Sequence, residues 1–300
     1  MDAISISHLT KYYGKHRGIE DVSFAVAEGE FFGFIGSNGA GKSTTIRTLL
    51  GLIRPSAGTA SVLGLDIVRD REKILARTGY LPSEIMLYAG MRVKEVLRLS
   101  AGLRSARCEK RAEELCERLQ LDASRKVDEL SFGNRKKVAI VCALQHEPEL
   151  LILDEPTGGL DPLMQKEFFD IMQEQHRAGK TIFMSGHVLT EIRKYCERAA
   201  ILREGRVVAC DRMDALTRTN TKRVQLQGHA AIETLSGIRD IRRSEEGMSF
   251  LYQGELAPLM GVLASGAVRD LTIAEPDLEE IFLHYYQEDA ISCSDCAKEV

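Results

Sequence analysis

Gly36-Ser37-Asn38-Gly39-Ala40-Gly41-Lys42-Ser43, followed by Thr44, fills every position of the phosphate-binding pattern G-x-x-x-x-G-K-[ST]. Glycines let the backbone curl until several N–H groups point at one anion. Lys42 brings a positive charge for β- and γ-phosphates, and Ser43 a hydroxyl for Mg²⁺. An apolar run, Phe31 to Ile35, precedes the loop and a helical pattern follows it. The helix N-terminus then faces the anion. A chance Gly-rich turn would lack both flanks.

A second carboxylate-bearing segment lies downstream. Leu150-Leu151-Ile152-Leu153-Asp154-Glu155 puts two acids at the end of a buried strand, which is costly unless a cation or proton is near. Beside the phosphate loop, Asp154 would hold Mg²⁺ and Glu155 would take a proton from an attacking water as general base. Taken alone, such a strand end is a solvated turn. The loop upstream gives it a use.

Leu130-Ser131-Phe132-Gly133-Asn134 narrows the field. With the two segments above, it resembles the signature L-S-G-G-Q of the ATP-binding subunits of ABC transporters. Leu130, Ser131 and Gly133 match, whereas Phe132 and Asn134 depart. Ser131 and the N–H groups that follow suit an anion site; an ordinary N-cap serine is the plainer alternative. The resemblance implies further roles. Tyr13, with Tyr12 beside it, stands where the adenine-stacking aromatic stands. Gly158-Gly159-Leu160-Asp161 resembles the loop that crosses between subunits, with Asp161 as its carboxylate. His187, after Ser185-Gly186, matches the histidine that contacts the γ-phosphate. After Gly79-Tyr80-Leu81-Pro82 the family has a coupling glutamine; here Ser83 and then Glu84 occupy that place.

The resemblance implies a P-loop ATPase core that binds ATP and Mg²⁺. It also implies a nucleotide-sandwich dimer, homodimer or heterodimer, in which Ser131 of one subunit meets a phosphate held by Lys42 of another. A separate membrane-spanning permease is the expected partner, with the chain peripheral to the cytoplasmic face. The segment 277–286 resembles the tail of ABC-2-type exporter ATPases, and its plainer reading is an amphipathic packing helix.

The elements that must position these residues follow from periodicity. Residues 1–35 read as strands, 43–50 as a helix ended by Gly51 and Pro55, and 58–68 as a strand pair. Residues 92–121 repeat apolar positions at helical spacing, within a helical insert spanning about 84–130. Ser131 caps a helix through Leu144; 150–153 and 181–184 are strands around a helix at 165–177. Strands alternating with helices predict a mostly parallel α/β sheet covered on both faces, with an antiparallel β subdomain. Residues 214–222 look like a polar linker. Beyond it, strands at 223–227, 239–243, 248–252 and 268–274 interleave with helices at 230–238, 255–263 and 277–286. That order, βαββαβ plus a helix, suits a small ferredoxin-like α+β module. The expected division is an ATP-binding domain at 1–216, a module at 217–290 and a tail at 291–300.

Composition sets the remaining bounds. The 300 residues carry 40 Lys+Arg against 44 Asp+Glu, a net charge of −4, with no Trp and 6% aromatics. No nucleic-acid partner is expected, because duplex binding needs a basic excess and single-strand binding needs stacking aromatics. Seven scattered cysteines suggest reduced thiols; only Cys293 and Cys296 have metal spacing, without two further ligands. The first residues lack a charged n-region and an apolar h-region, and no apolar run approaches the ~18 residues of a membrane span. Chromosome-maintenance ATPases carry long coiled-coil or zinc insertions that the segment between Ser43 and Ser131 does not have. Tandem translation factors have two cassettes, whereas this chain has one phosphate loop. A non-hydrolysing regulatory subunit is disfavoured by Glu155 and His187.

Overall fold

The computed structural model describes residues 1–104, 107–186, 188–217, 221–232, 235–244 and 246–274. They divide into two compact units at Met213/Asp214. The first unit runs β1 (Asp2–Tyr13), β2 (His16–Ala27), β3 (Phe31–Ile35), α1 (Lys42–Leu49), β4 (Ala57–Val62), β5 (Leu65–Asp66), α2 (Arg71–Arg77) and β6 (Thr78–Leu81). It continues with α3 (Val93–Gly102), α4 (Glu109–Arg118), a 3₁₀ turn (Val127–Glu129), α5 (Phe132–Leu144), β7 (Leu150–Asp154), α6 (Pro162–Arg177), β8 (Thr181–Gly186), α7 (Leu189–Tyr195), β9 (Arg198–Arg203) and β10 (Arg206–Arg212). Helix α8 (Met213–Thr217) follows.

Two sheets form this unit. One is antiparallel, in the order β2-β1-β4-β5; the other runs β10-β9-β3-β8-β7-β6. In the second, every neighbouring pair is parallel except β10 against β9. Strands β3 and β7 are buried along their whole length. That explains their unbroken apolar runs, since a parallel strand covered on both faces has no solvent side to alternate toward. The core between the sheets includes stacked phenylalanines, with Phe24 and Phe32 rings 5.6 Å apart and Phe32 and Phe183 5.8 Å apart.

Register brings the chemistry together. Ile35 lies opposite Gly186, Asp154 opposite Ser185, and Leu81 opposite Leu153. The carboxyl ends of β3, β8, β7 and β6 therefore finish at one level, the edge where open α/β sheets bind ligands. Strand β6 is only four residues long, and β9–β10 is a hairpin whose turn residues Glu204 and Gly205 both take positive φ, 47° and 79°, as a twist-matched two-residue turn requires. Neither was evident from periodicity. Helix α6 begins at Pro162 rather than 165, because Asp161 caps it by accepting from Met164 N at 3.0 Å and proline suits a first helical position.

The second unit holds β11 (Thr221–His229), β12 (Ile238–Arg243), β13 (Gly247–Gln253), α9 (Leu256–Ser265) and β14 (Ala267–Ala274). Its sheet is antiparallel throughout, in the order β12-β13-β11-β14. With β11 as first strand this is the ferredoxin-like order. Val224, Leu226, Phe250 and Tyr252 pack with Ile232, Leu259 and Leu263 beneath it. Two expectations are corrected. The helix expected at 230–238 does not form in the described residues: Ala230 and Ile232 enter the core from a tight turn, and Gly237, at φ 83°, leads directly into β12. A Cβ at Gly237 would lie 2.1 Å from the Gln253 carbonyl oxygen. The linker expected at 214–222 is partly taken up by α8 and the start of β11. The helix expected at 277–286, the tail at 291–300 and Cys293 and Cys296 lie outside the described residues. Among the described residues no helix is long and apolar enough to cross a membrane.

Candidate functional site

The Gly36–Ser43 loop leaves β3 and enters α1 through Gly41, whose φ is 108°. Glycine is required there twice over: the backbone is left-handed, and a Cβ would lie 2.7 Å from both the Gly18 oxygen and Ile19 Cγ2. Inside the helix, Thr45 and Thr48 turn their hydroxyls back onto the Gly41 and Thr44 carbonyls. The first-turn N–H groups of α1, at Lys42, Ser43 and Thr44, have no partners within the helix. Lys42 is 5% exposed. Its Nζ donates to the Gly36 and Ser37 carbonyls at 2.8 and 3.2 Å and lies 3.2 Å from Glu155 Oε1.

Asp154 closes β7 with 1% of its surface exposed. Ser185 Oγ, opposite it on β8, donates to its Oδ1 at 2.6 Å, and Ser83 Oγ to its Oδ2 at 3.2 Å. Ser83 is thus long enough to engage the Asp154 carboxylate, although shorter than the glutamine expected there; Glu84 is exposed one residue on. Glu155 follows in the left-handed region, φ 48°. Its N–H donates to Ser185 at both the carbonyl (3.3 Å) and the hydroxyl (3.2 Å). Its carbonyl accepts from Lys136 Nζ at 3.0 Å, which also reaches the Pro82 carbonyl at 3.4 Å. Burial pushes the Lys136 ammonium down to about 8, against the opposing influence of Asp154 and Glu155.

Ser185 and Lys136 were not singled out by residue type. Lys136 had a signal: Lys136, Ile140 and Leu144 fall on one stripe of α5 and are all buried.

The remaining expected residues are placed around this centre. Ser131 caps α5, accepting from Asn134 N at 3.3 Å. Phe132 is 58% exposed, yet its ring lies over Gly159: a Cβ there would be 2.2 Å from Phe132 Cε1. A Cβ on Gly133 would be 2.7 Å from the Gly159 oxygen, so the signature and the Gly158–Asp161 loop pack together within one chain. Asp161 is exposed beyond its capping bond. Tyr13 is half-exposed at the end of β1; Tyr13 Cε2 and Thr44 Cγ2 both border Gly18, within 2.9 and 3.0 Å of where its Cβ would stand. Tyr12, its neighbour, pairs with Arg17 across the hairpin. His187 lies outside the described residues. Its neighbours Gly186 and Val188 line a cavity of about 200 Å³ with Glu155, Thr157, Ser185 and Glu191.

The donor set suits Mg²⁺. Asp154 is a deeply buried carboxylate whose two oxygens accept from hydroxyls, and hard oxygen donors in small number are what magnesium takes when phosphates complete its shell. Among the described residues no cluster of three or more His, Cys, Asp or Glu could hold a metal by itself.

A glycine-rich loop at the junction of β3 and α1, a buried Asp154 with Glu155 beside it at the end of β7, and Lys42 reaching Glu155 define a P-loop nucleoside-triphosphatase. The ABC transporter family description matches residues 19–158. The bacitracin transport ATP-binding protein of Bacillus licheniformis is 32% identical over 295 residues, covering 93% of this chain and 96% of that protein. The chain belongs to the ATP-binding subunits of ABC transporters and is an ATP hydrolase of that type. A probable multidrug ABC transporter ATP-binding protein of Escherichia coli is 36% identical over 218 residues, 71% of this chain but 38% of that longer protein. A solved ATP-binding subunit of an ABC transporter superposes with a TM-score of 0.69 at 36% identity, over 72% of this chain and 92% of its own.

Proposed function

We propose that this chain powers export through a separate membrane-spanning permease, working as a nucleotide-sandwich dimer on the cytoplasmic face. The observation that carries the hydrolytic part is the approach of Glu155, just past the end of β7, to Lys42 at the start of α1, with Glu155 Oε1 3.2 Å from Lys42 Nζ. Gly36, Ser37, Asn38, Gly39, Ala40, Gly41 and Thr44 cradle the phosphates of ATP, Lys42 neutralises them, and Tyr13 stacks on the adenine. Ser43 and Asp154 would hold magnesium, which when bound draws charge from the phosphates. Glu155 accepts a proton from the water that attacks the terminal phosphorus, ADP leaves with its bridging oxygen, and inorganic phosphate forms. His187 contacts the terminal phosphate and reports its loss.

Ser131, Phe132, Gly133 and Asn134 face the phosphate held by a partner subunit, and Asp161 crosses toward it. Closure and reopening then follow the terminal phosphate, a two-state element biased by its contacts. Ser83 and Glu84 lie on the loop facing the permease. The transport reading is supported by the relatives named for bacitracin transport and multidrug transport, and the export direction by relatives named as Nod factor export ATP-binding proteins. The likeness to the bacitracin transport protein extends beyond the ATP-binding unit. Co-purification with a multi-span membrane protein, with Mg·ATPase activity rising in the complex, tests the assignment. A chain that hydrolyses Mg·ATP but retains no membrane partner would defeat the transport part alone.

A further inference from the structure

A lysine with 1% of its surface exposed is costly to keep, because its ammonium surrenders hydration. Lys136 uses its position on α5 to reach two main-chain carbonyls at the ends of adjacent strands, Glu155 at 3.0 Å and Pro82 at 3.4 Å. Glu155 holds a left-handed backbone, φ 48°, which strains any residue with a Cβ. Such strain persists only where the surroundings fix it. Here Ser185 on β8 holds the N–H side of Glu155 and Lys136 the carbonyl side. The turn is clamped from both ends.

We propose that Lys136 is a positioning residue for hydrolysis: its Nζ donors clamp the left-handed turn at Glu155, tie it to the Pro82–Ser83 strand end, and so set where the Glu155 carboxylate stands relative to Lys42. The proposal rests on Glu155 being the general base. It adds a connection within the subunit, since the helix that opens with Ser131–Asn134 is also the helix that holds the base in place. The donors, rather than the charge, do the positioning, because both acceptors are neutral carbonyls.

The experiment compares Lys136→Met, Lys136→Gln, Glu155→Gln and the double variant Lys136→Met/Glu155→Gln as purified full chains. Equilibrium ATP titration and steady-state phosphate release are measured on each. Lys136→Met keeps side-chain length and loses the donors; its ATP affinity stays within threefold of the original, and kcat falls at least tenfold while KM changes less than threefold. Lys136→Gln, whose amide has two N–H donors, keeps at least a third of the original kcat. In the Glu155→Gln background Lys136→Met causes no further loss, because groups that act as a unit are not additive. A smaller fall in kcat for Lys136→Met, a lower kcat for Lys136→Gln, or an additive loss in the double variant overturns the proposal. Where Lys136→Met does not fold, Lys136→Gln decides by the same threshold of one third. Near-normal turnover of Glu155→Gln alone refutes the base assignment instead, so the two failures are distinguishable.

Discussion

Replacing Glu155 by Gln removes one negative charge and one proton acceptor while keeping side-chain length. The backbone of the turn is left alone, because its restraints are main-chain ones: the N–H to Ser185 and the carbonyl from Lys136. Lys42 loses its 3.2 Å partner but keeps the Gly36 and Ser37 carbonyls, so its buried ammonium is not orphaned. Glu155 is 28% exposed, which places the lost pair near the surface-pair range of ~1 kcal/mol or less. For a unit of this size that is a shift in Tm of about 2–4 °C at most. Turnover responds on a different scale. Positioned base catalysis contributes ~10²–10⁴-fold, about 2.7–5.5 kcal/mol of barrier, and all of it resides in the carboxylate. ATP affinity should hold or rise, since one negative charge leaves the neighbourhood of the phosphates. Phosphate release at saturating Mg·ATP, ATP titration and sizing with and without Mg·ATP read the three effects separately. The expected result is intact binding, turnover reduced at least a hundredfold and a larger species that accumulates with Mg·ATP. Phosphate release within threefold of the original chain would refute the reasoning, and the proton would then pass to another group.

Lys42→Ala should lose ATP binding, read by titration, because the phosphates lose their only loop cation; unchanged affinity and turnover would sink the loop assignment. A chain ending near residue 220 should fold and bind ATP with near-original affinity, since the first compact unit closes at Met213. Failure of that folded fragment to bind would mean that the second unit completes the site. His146 supplies a pH dependence: burial first, then Arg104, pushes its imidazole down to about 4. As pH falls through the ordinary histidine value of 6.5, the unfolded chain takes up a proton that the folded chain refuses until about 4. Stability present above 6.5 is therefore lost across that window, on the order of 3 kcal/mol. Urea midpoints at pH 7 and 4.5 should differ by less in His146→Gln than in the original chain, and equal differences would contradict the assignment.

What the sequence determined by itself was local or strongly patterned. The phosphate loop was legible because its glycines, Lys42 and Ser43 must be contiguous to curl around one anion. The buried strands at 31–35 and 150–154 were legible because strands covered on both faces show no alternation. The capping of α5 by Ser131 followed from residue type, and the four strands of the second unit from their alternation. In the described residues the helix expected at 230–238 gives way to a turn before β12: Gly237 needs a positive φ and close backbone contact, and only the packed sheet imposes that.

Tertiary structure alone decided the rest of the site. Ser185 meets Asp154 because β8 lies beside β7 in one register. Ser83 meets the same carboxylate because β6 ends at the same level on the far side. Lys136 serves Glu155 because α5 packs over both strand ends. These partners come from segments far apart in the chain, and a serine or a lysine carries no mark of which strand will lie next to it. Composition and period fix which faces are buried. The pairing of particular polar groups is fixed only when the sheet closes and each buried donor and acceptor must find a partner.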